Sequence, residues 1–393
     1  SLIMHSADAT SLPAGSALAV DRGLFAKAVS DAISAHSLIT ILRTRIETIP
    51  LDAYDAVIVA SGPLTSQGLA NHIAQLAGSK ALAFFDAIAP IVHFETIDPN
   101  QSWRQSRYDK SGADYINCPM DHLDYERFID GVLGASEQAL ANHDKTPFFE
   151  GCLPIEVMAR RGRDTLRFGP MKPVGLTNPH RPDMRCHAVV QLRQDNRQGS
   201  LWNMVGFQTR LRHLDQIELF RMIPGLEKAE FARLGSMHRN SYLSSPDLLD
   251  SYFRLRTQPN LRFAGQITGV EGYVESAATG MIVGLLTGLE LRLDPRQTSL
   301  IQPPPATTSI GALMAYVAGG SIAKSFQPMN ANFGLYEPLD GEDMDDQSKR
   351  KKPRLRGRAR KEALSARARR EFADYLEGLR QFGWQASLNS QKP

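Results

Sequence analysis

The chain has 393 residues, of which 42% are hydrophobic and 22% charged, and its formal net charge is +3. This composition indicates a globular protein of two or three domains with a sizeable core. Its three cysteines, Cys118, Cys152 and Cys186, form no C-x-x-C pair, which argues against a disulfide framework and a zinc site and favours a reducing cytoplasm. No apolar run approaches the roughly 20 residues of a membrane span, and no signal-peptide pattern opens the chain.

The first predicted elements belong to an α/β sheet. An amphipathic helix opens at residues 21–25 with Asp21 as its cap, and residues 37–49 are predicted to form one or two short strands. Residues 53–60 form a continuous apolar strand that ends at Ser61-Gly62-Pro63. A buried strand that runs into a turn of small residues is typical of the carboxyl edge of such a sheet, where ligands bind.

The middle of the chain departs from that pattern. Residues 64–259 are richer in short strands, prolines and polar clusters, which predicts a mixed α+β domain inserted into the α/β fold. Residues 189–195 and 201–207 are predicted to pair as a hairpin through the turn at residues 196–199.

The chain then returns to the first fold. Residues 260–264 are predicted as a strand, residues 265–272 as a glycine-rich turn and residues 273–291 as a helix. This order brings backbone N–H groups and the positive helix end to an anion or to the edge of a flavin. The glycine spacing is not Gly-x-Gly-x-x-Gly, so the residues alone fit a cofactor turn or a plain turn.

The last hundred residues carry a strong charge asymmetry. After a predicted helix at residues 309–318 and an ordered loop at 326–334, residues 342–346 are acidic, and residues 349–370 hold twelve Lys or Arg against one acid. The basic run indicates a polyanion partner, or else a flexible solvated tail. Residues 363–382 are predicted to form a helix with an apolar stripe for packing.

One thiol stands in a stretch that suits a nucleophile. Cys152 lies between Gly151 and Leu153-Pro154, where the backbone turns tightly. Five cations follow, namely Arg160, Arg161, Arg163, Arg167 and Lys172, and cationic surroundings favour a thiolate over the ordinary thiol pKa of about 8.5. The alternative is a small buried side chain beside a solvated basic loop. Glu156 is a candidate general base, or a surface or capping carboxylate, and Cys118 and Cys186 are expected to be packed core thiols.

Five blocks of sequence carry a family resemblance. They are Gly-Cys-Leu-Pro-Ile-Glu at 151–156, Gly-Phe-Gln-Thr-Arg at 206–210, Met-His-Arg-Asn at 237–240, Gly-Gln-Ile-Thr-Gly-Val-Glu-Gly-Tyr-Val-Glu-Ser at 265–276 and Phe-Gln-Pro-Met-Asn-Ala-Asn-Phe-Gly at 326–334. With these blocks the chain resembles the folate- and FAD-dependent tRNA (uracil-5-)-methyltransferase family from residue 1 to about residue 334. Such proteins open with a strand, a Gly-x-Gly-x-x-Gly turn and a helix, and we expect this chain to be N-terminally truncated after that unit.

The resemblance implies a fold and a division into domains. The expected fold class is α/β, a two-dinucleotide-domain-like FAD fold that lacks its first βαβ unit, with an inserted α+β domain and a helical C-terminal extension. Residues 1–63 and 260–295 would form the FAD-binding domain. Residues 64–259 would form the folate and tRNA domain, and residues 296–393 the extension with its basic tail.

The resemblance also implies an activity and its cofactors. Members methylate the T-loop uridine of tRNA at C5, with methylenetetrahydrofolate as carbon donor and reduced FAD, regenerated by NADH or NADPH, as reductant. Since uracil C5 is a poor nucleophile, a thiolate first adds at C6, and Cys152 matches the reactive cysteine of the family block. A second functional cysteine of the family falls in the absent part.

The site residues follow from positions in the blocks. The implied cofactor-binding residues are Gly62, Gly265, Gly269, Gly272, Tyr273, Glu275, Arg210 and His238, with Arg210 and His213 as candidates for the folate pterin. The implied RNA-binding residues are Arg160, Arg161, Lys351, Lys352 and Arg354, and no metal is expected. For Arg160 and Arg161, contact with the glutamate tail of folate and a solvated surface position are open alternatives. For His238, the alternative is a hydrogen-bonded position in the core.

Two other functions fit the residues less directly. One is the related flavoprotein of wobble-uridine modification, which uses FAD and folate with a partner GTPase. The other is an inactive tRNA-binding remnant, because the diphosphate-binding turn is not in this sequence.

Overall fold

The computed structural model describes residues 1–15, 17–78, 82–110, 112–138, 153–320, 326–339 and 355–383, with the backbone alone at 82–87, 237–241, 295 and 320. It contains two compact units. Unit 1 comprises residues 1–43 and 84–239, and unit 2 comprises residues 44–83 and 240–393.

The described chain contains both helices and strands. The helices are α1 Leu2–Ala9, α2 Arg22–Ser34, α3 Gln67–Ala77, α4 His122–Gly134, α5 Ile155–Arg161, α6 Thr165–Phe168, α7 His213–Phe220, α8 Ser245–Leu248, α9 Tyr273–Arg292, α10 Pro295–Thr298, α11 Ser309–Ala315 and α12 Gly357–Arg380. The strands are β1 Ser11–Leu12, β2 Ala19–Val20, β3 Val57–Val59, β4 Leu82–Ile88, β5 Ile91–His93, β6 Trp103–Arg104, β7 Tyr115–Met120, β8 Ala188–Gln194, β9 Leu201–Met204, β10 Phe231–Arg233, β11 Ser236–Tyr242, β12 Arg254–Leu255 and β13 Gln258–Phe263.

Unit 1 is built on an antiparallel sheet of strand order β10-β5-β9-β8-β7-β6. Strand β8 pairs with β9 in the register Leu192↔Met204, so the predicted hairpin is confirmed. The inward side chains of the sheet and the apolar faces of α4 and α5 form one core, in which Tyr125, Phe128 and Phe207 are fully buried. The predicted α+β character of this part of the chain is therefore confirmed.

The N-terminal residues pack within unit 1. The predicted cap of α2 is confirmed, because the Asp21 side chain accepts from the N–H of Leu24 at 3.1 Å. Gly15 N–H donates to the Asp114 carboxylate at 2.8 Å, and Arg22 pairs with Asp195. Unit 1 therefore combines residues 1–43 with residues 84–239. The assignment of FAD and folate to particular domains stays a prediction.

Unit 2 contains the parallel strand pair of the α/β fold. Its sheet has the order β12-β13-β3, and β13 runs parallel to β3 in the register Leu261↔Val57 and Phe263↔Val59. The strand, glycine turn and helix predicted for residues 260–291 are confirmed as β13, a 3₁₀ turn at Gly265–Thr268 and α9. Neighbouring parallel strands end at the same sheet edge, so the segments after β3 and β13 emerge there together.

Helix α9 corrects one expectation. It is 20 residues long and apolar enough to cross a membrane by length and composition, although no apolar run was expected to approach that length. Its Ile282, Val283 and Leu286 are completely buried within the protein. We therefore interpret α9 as a core helix, since such helices pass the same test of length and hydropathy.

The C-terminal helix begins earlier than predicted. Helix α12 starts at Gly357, so the second half of the basic run is helical. Leu364 and Leu379 on one face are buried, and the Tyr375 hydroxyl donates to the Gln302 carbonyl at 3.0 Å. The predicted packing role of the apolar stripe is confirmed at Leu379.

One strand prediction is wrong, and another is wrong in extent. The structure assigns no strand to residues 37–49, where Leu38 and Leu42 are 88% and 70% exposed. The Ile and Thr residues of this stretch favour a strand, but a strand forms only with a partner, and none of the described strands pairs with it. The strand predicted over residues 53–60 is limited to β3, since Leu51–Ala53 forms a 3₁₀ turn.

Candidate functional site

Glycines shape the sheet edge in unit 2. Gly265, Gly269 and Gly272 adopt φ values of 72°, 84° and 99° between β13 and α9, and Gly62 adopts 70° after β3. Other residues rarely take this backbone conformation, so glycine is required for the chain to turn here. The structure brings the four predicted glycines to the carboxyl ends of two adjacent parallel strands.

Another of the sequence blocks docks on this turn. The N–H of Met329 donates to the Gly269 carbonyl at 2.9 Å, and the N–H of Glu271 donates to the Met329 carbonyl at 2.8 Å. The Phe326 ring covers Gly269 so closely that a Cβ there would lie 2.5 Å from Cζ. Blocks 265–276 and 326–334, which are fifty residues apart in sequence, therefore form one structural element.

The start of α9 carries its own negative charge. The Glu275 carboxylate folds back to Gly272, where an added Cβ would lie 2.2 Å from Oε2. Tyr273 beside it is 96% exposed. Because a carboxylate lies in the first turn of α9, this end suits a neutral, hydrogen-bond-accepting group better than a second anion.

The contact between Gly269 and Phe326 gives a stability prediction. We expect Gly269→Ala to lower the free energy of unfolding by about 1–3 kcal/mol more than Gly62→Ala, measured by urea denaturation. Both glycines have positive φ, but a Cβ at Gly62 meets no heavy atom within 4 Å. The pair therefore separates the clash with Phe326 from the backbone strain, and equal losses in the two variants would contradict the packing described.

The second set of predicted residues lies in unit 1. Helix α5 begins at Ile155, and Glu156 in its first turn is fully buried, not a surface carboxylate. Its two oxygens accept hydrogen bonds from the N–H of Arg210 at 2.8 Å and from the Thr209 hydroxyl at 2.9 Å. Burial raises the pKa of this carboxyl above its ordinary value, against the opposing effect of those hydrogen bonds.

A second carboxylate joins the two predicted arginines. Glu137 pairs with Arg160 through one oxygen and with Arg210 through the other. Arg210 also lies 4.0 Å from Glu156 and is only 18% exposed. The predicted contacts of Arg160 with phosphate and of Arg210 with folate stay predictions, and neither arginine is an unengaged cation.

The same network fixes both sides of the segment that carries Cys152. The N–H of Gln138 donates to the Arg210 carbonyl at 2.9 Å, and the N–H of Ile155 donates to the Gln208 carbonyl at 2.8 Å. These two donors lie on either side of residues 139–152, which the structure does not describe. Block 206–210 thus binds the described residues on both sides of Cys152.

The basic residues after Cys152 are largely neutralised. Arg163 pairs with Glu126 and, at 2.7 Å, with Asp130, and Arg167 pairs with Asp164 at 3.2 Å. The expectation that dense positive charge surrounds this stretch is wrong for these two arginines and for Arg160. The partners of Arg160 and Arg163 come from α4 and the loop after it and are distant in sequence, whereas Asp164 lies three residues before Arg167.

Several predicted residues lie outside the described part of the chain. These are Cys152, Lys351, Lys352 and Arg354, together with the side chain of His238, whose backbone belongs to β11. Arg161, in the last turn of α5, and His213, the first residue of α7, are exposed. Among the described residues no group of three or more His, Cys, Asp and Glu side chains converges as a metal site.

The other two cysteines differ from each other. Cys118 on β7 is completely buried, and burial raises the pKa of its thiol, so the predicted core role is confirmed. Cys186 is only half-buried and lines an open cleft, which contradicts the same expectation for it. It precedes β8, where the chain is still at the rim of the sheet.

Sequence reasoning missed Glu137 and the cleft at Cys186. Glu137 lies outside all five blocks, and its partners Arg160 and Arg210 are 23 and 73 residues away. Only the tertiary structure brings such residues together, although the run Asn178-Pro-His-Arg181 has the polar composition of a binding loop.

Sequence comparison identifies a family and close relatives of this chain. A sequence model of the family described as glucose inhibited division protein A matches residues 1–294. A protein of Azorhizobium caulinodans is 54% identical over 389 residues, and one of Hyphomonas neptunium is 55% identical over 386 residues. Both alignments cover 96% of this chain and 82% of the relative, and both relatives are named methylenetetrahydrofolate-tRNA-(uracil-5-)-methyltransferase TrmFO.

Solved structures show the same fold. Two crystal forms of Aquifex aeolicus GidA superpose with TM-scores of 0.62 and 0.64 at 14% sequence identity. They cover 96% and 94% of this chain, which itself spans 65% and 61% of the GidA chains. The expected fold class is confirmed, and the chain belongs to the glucose inhibited division protein A family, among its folate-dependent tRNA (uracil-5-)-methyltransferases.

Proposed function

We propose that this chain methylates the T-loop uridine of tRNA at C5 with a one-carbon unit from methylenetetrahydrofolate. The observation that carries the proposal is identity above 50% over 96% of the chain to relatives that bear this methyltransferase name. The relatives do not favour the wobble-uridine alternative. The chain would act in the cytoplasm with tRNA and small molecules as its partners.

The glycine turn of unit 2 fits part of a flavin. Gly62 has open space around it, and Gly265, Gly269 and Gly272 present backbone at the sheet edge. Because Glu275 supplies negative charge at the start of α9, the fit is to the uncharged ring edge and not to the diphosphate. Tyr273 and Glu275 would complete the flavin contacts of unit 2, and Arg210 and His238 are proposed as cofactor contacts within unit 1. Bound FAD would supply reducing equivalents taken from NADH or NADPH.

Cys152 is the proposed nucleophile. Its thiolate would add to uracil C6, which makes C5 the nucleophilic carbon, and would leave again when the C5 proton is lost. The hydrogen bonds from Gln138 and Ile155 to residues 208–210 support this role, because a nucleophile needs a fixed backbone on both sides. Glu156 is committed to Thr209 and Arg210, so its contribution is to position this support.

Positive charge would bind the tRNA backbone. The proposed contacts are Arg160, Arg161, Lys351, Lys352 and Arg354, and the basic run continues into the exposed start of α12. Affinity that depends on phosphate contacts falls steeply as salt is raised. Residues 64–259 would serve folate and tRNA, residues 1–63 and 260–295 FAD, and residues 296–393 tRNA.

Flavin content and product identity test the proposal. We expect the purified 393-residue chain to show the absorbance of bound flavin and to convert T-loop uridine to 5-methyluridine when folate donor and reductant are supplied. A methyl group at another tRNA position, or none with flavin bound, would contradict the assignment.

A further inference from the structure

A cleft of about 250 Å³ lies in unit 1 at the end of β7 and the start of α4. Pro119, Met120 and Pro224 form apolar lining, and the loop of residues 178–186 forms the other side. The volume is below the roughly 300–1,000 Å³ of pockets for drug-sized ligands, so it suits a single planar group with a short substituent. None of the proposed cofactor, catalytic or RNA-binding residues lines it.

The lining of this cleft holds two arginines and two aspartates. Arg181 and Arg185 line it and have no ion pair with any residue that the structure describes. The two carboxylates of the lining are already committed. Asp121 caps α4 by accepting from the N–H of Asp124 at 2.8 Å, and Asp124 pairs with Arg127 at 2.5 Å. A neutral N–H does not cancel the charge of Asp121, but Arg181 and Arg185 are guanidinium groups without an ion pair to a described residue, and such groups bind phosphate well.

A buried amide adds a hydrogen-bond donor. Asn178 is only 7% exposed, and its Oδ1 accepts from the N–H of His180 at 3.0 Å. Its Nδ2 donates to no described residue and is not one of the buried side-chain atoms that lack a partner, so it reaches the surface of the cleft. There it can donate a hydrogen bond to an acceptor of a ligand.

We propose that this cleft binds one unpaired nucleotide of the RNA substrate, with its phosphate at Arg181 and Arg185 and an acceptor of its base at the Asn178 amide. The apolar lining would cover the base, because sequence-tolerant RNA sites combine an apolar surface for the ring with cations for the backbone. The proposal rests on tRNA being the substrate. Such a contact would hold the RNA at a nucleotide other than the reacting uridine, while that uridine leaves its stack to react.

Alkylation of Cys186 measures occupancy directly, because its half-buried thiol lines the same cleft. Burial raises the pKa of this thiol, so iodoacetamide labelling is best run at about pH 8.5 or above and followed by peptide mass spectrometry. We expect unmodified tRNA and nucleoside 5′-monophosphates to slow the labelling of Cys186 severalfold. Inorganic phosphate at the same concentration should leave it unchanged, and equal protection by phosphate would overturn the proposal in favour of a general anion site.

Variants assign the contacts. The Arg181→Gln, Arg185→Gln double variant is expected to lose nucleotide protection of Cys186 and to raise the KM for tRNA roughly tenfold with kcat largely unchanged. Asn178→Asp keeps the acceptor for His180 but removes the amide donor, and should weaken protection as well. Arg197→Gln removes an exposed arginine of the same unit outside the cleft and is the matched control.

The protection assay needs no flavin, folate or methyl transfer, so it stands apart from the proposed reaction. Protection without methylation would leave the nucleotide cleft in place and refute the enzyme activity. Protection that survives in the double variant, or methylation without any protection of Cys186, would refute the cleft.

Discussion

Cys152→Ala is expected to abolish methylation of tRNA, with a fall in rate of roughly 10³-fold or more, as is common when an enzyme loses its nucleophile. Without the thiolate, uracil C5 stays a poor nucleophile and the carbon donor is not attacked. The flavin content should be unchanged, because the proposed flavin contacts lie mainly at the glycine turn of unit 2. Transfer of labelled one-carbon unit to an unmodified tRNA transcript, expressed per bound flavin, measures the effect.

Cys118→Ala is the matched control for that loss. It removes a thiol that is fully buried in the core of unit 1, on β7. Any effect of Cys118→Ala should follow the loss of stability from the small cavity and vanish when activity is expressed per folded protein. Cys152→Ala protein that keeps a tenth of the activity would show that another group adds to uracil.

Local signals predicted the elements whose residues determine their own conformation. Asp21 caps α2, and the glycines between β13 and α9 take positive φ, because capping and backbone freedom are properties of single positions. The strands predicted at residues 37–49 fail because pairing depends on a second segment. Helix α1 has no strong pattern, since only Ser6 and Ala7 of it are buried.

The candidate site likewise contains features that the sequence predicted and features that it did not. The order of strand, glycines and helix predicted the turn at Gly269, but not its close contacts with residues 326–329. The sequence also did not predict that Glu137 neutralises Arg160 and Arg210, nor that Arg181 lacks an ion pair with the described residues. Ion pairing depends on distances that only the fold sets, so a run of cations in sequence is no measure of local charge.

Glu156→Ala is expected to lower the free energy of unfolding by about 2–4 kcal/mol, the larger of the two stability losses predicted for this chain. The substitution leaves the Thr209 hydroxyl and the Arg210 N–H without their acceptor in a fully buried place. Asp130→Ala removes a carboxylate that is also paired with an arginine but is 67% exposed, and should cost well under about 1 kcal/mol. Urea unfolding of the two variants measures the contrast, and comparable losses would refute the buried role.

The pH dependence of Glu156→Gln tests the same carboxyl independently. Burial raises its folded-state pKa above the ordinary 4.5, so unfolding releases a proton in the window between those two values. Stability that Glu156 contributes in its protonated form is therefore complete below pH 4.5 and is lost as pH rises through the folded pKa. The glutamine variant has no such titration, and the wild-type free energy of unfolding should fall relative to it across that window. Parallel curves for the two proteins from pH 4.5 to 8 would mean that the hydrogen bonds from Thr209 and Arg210 outweigh burial and that Glu156 is ionised throughout.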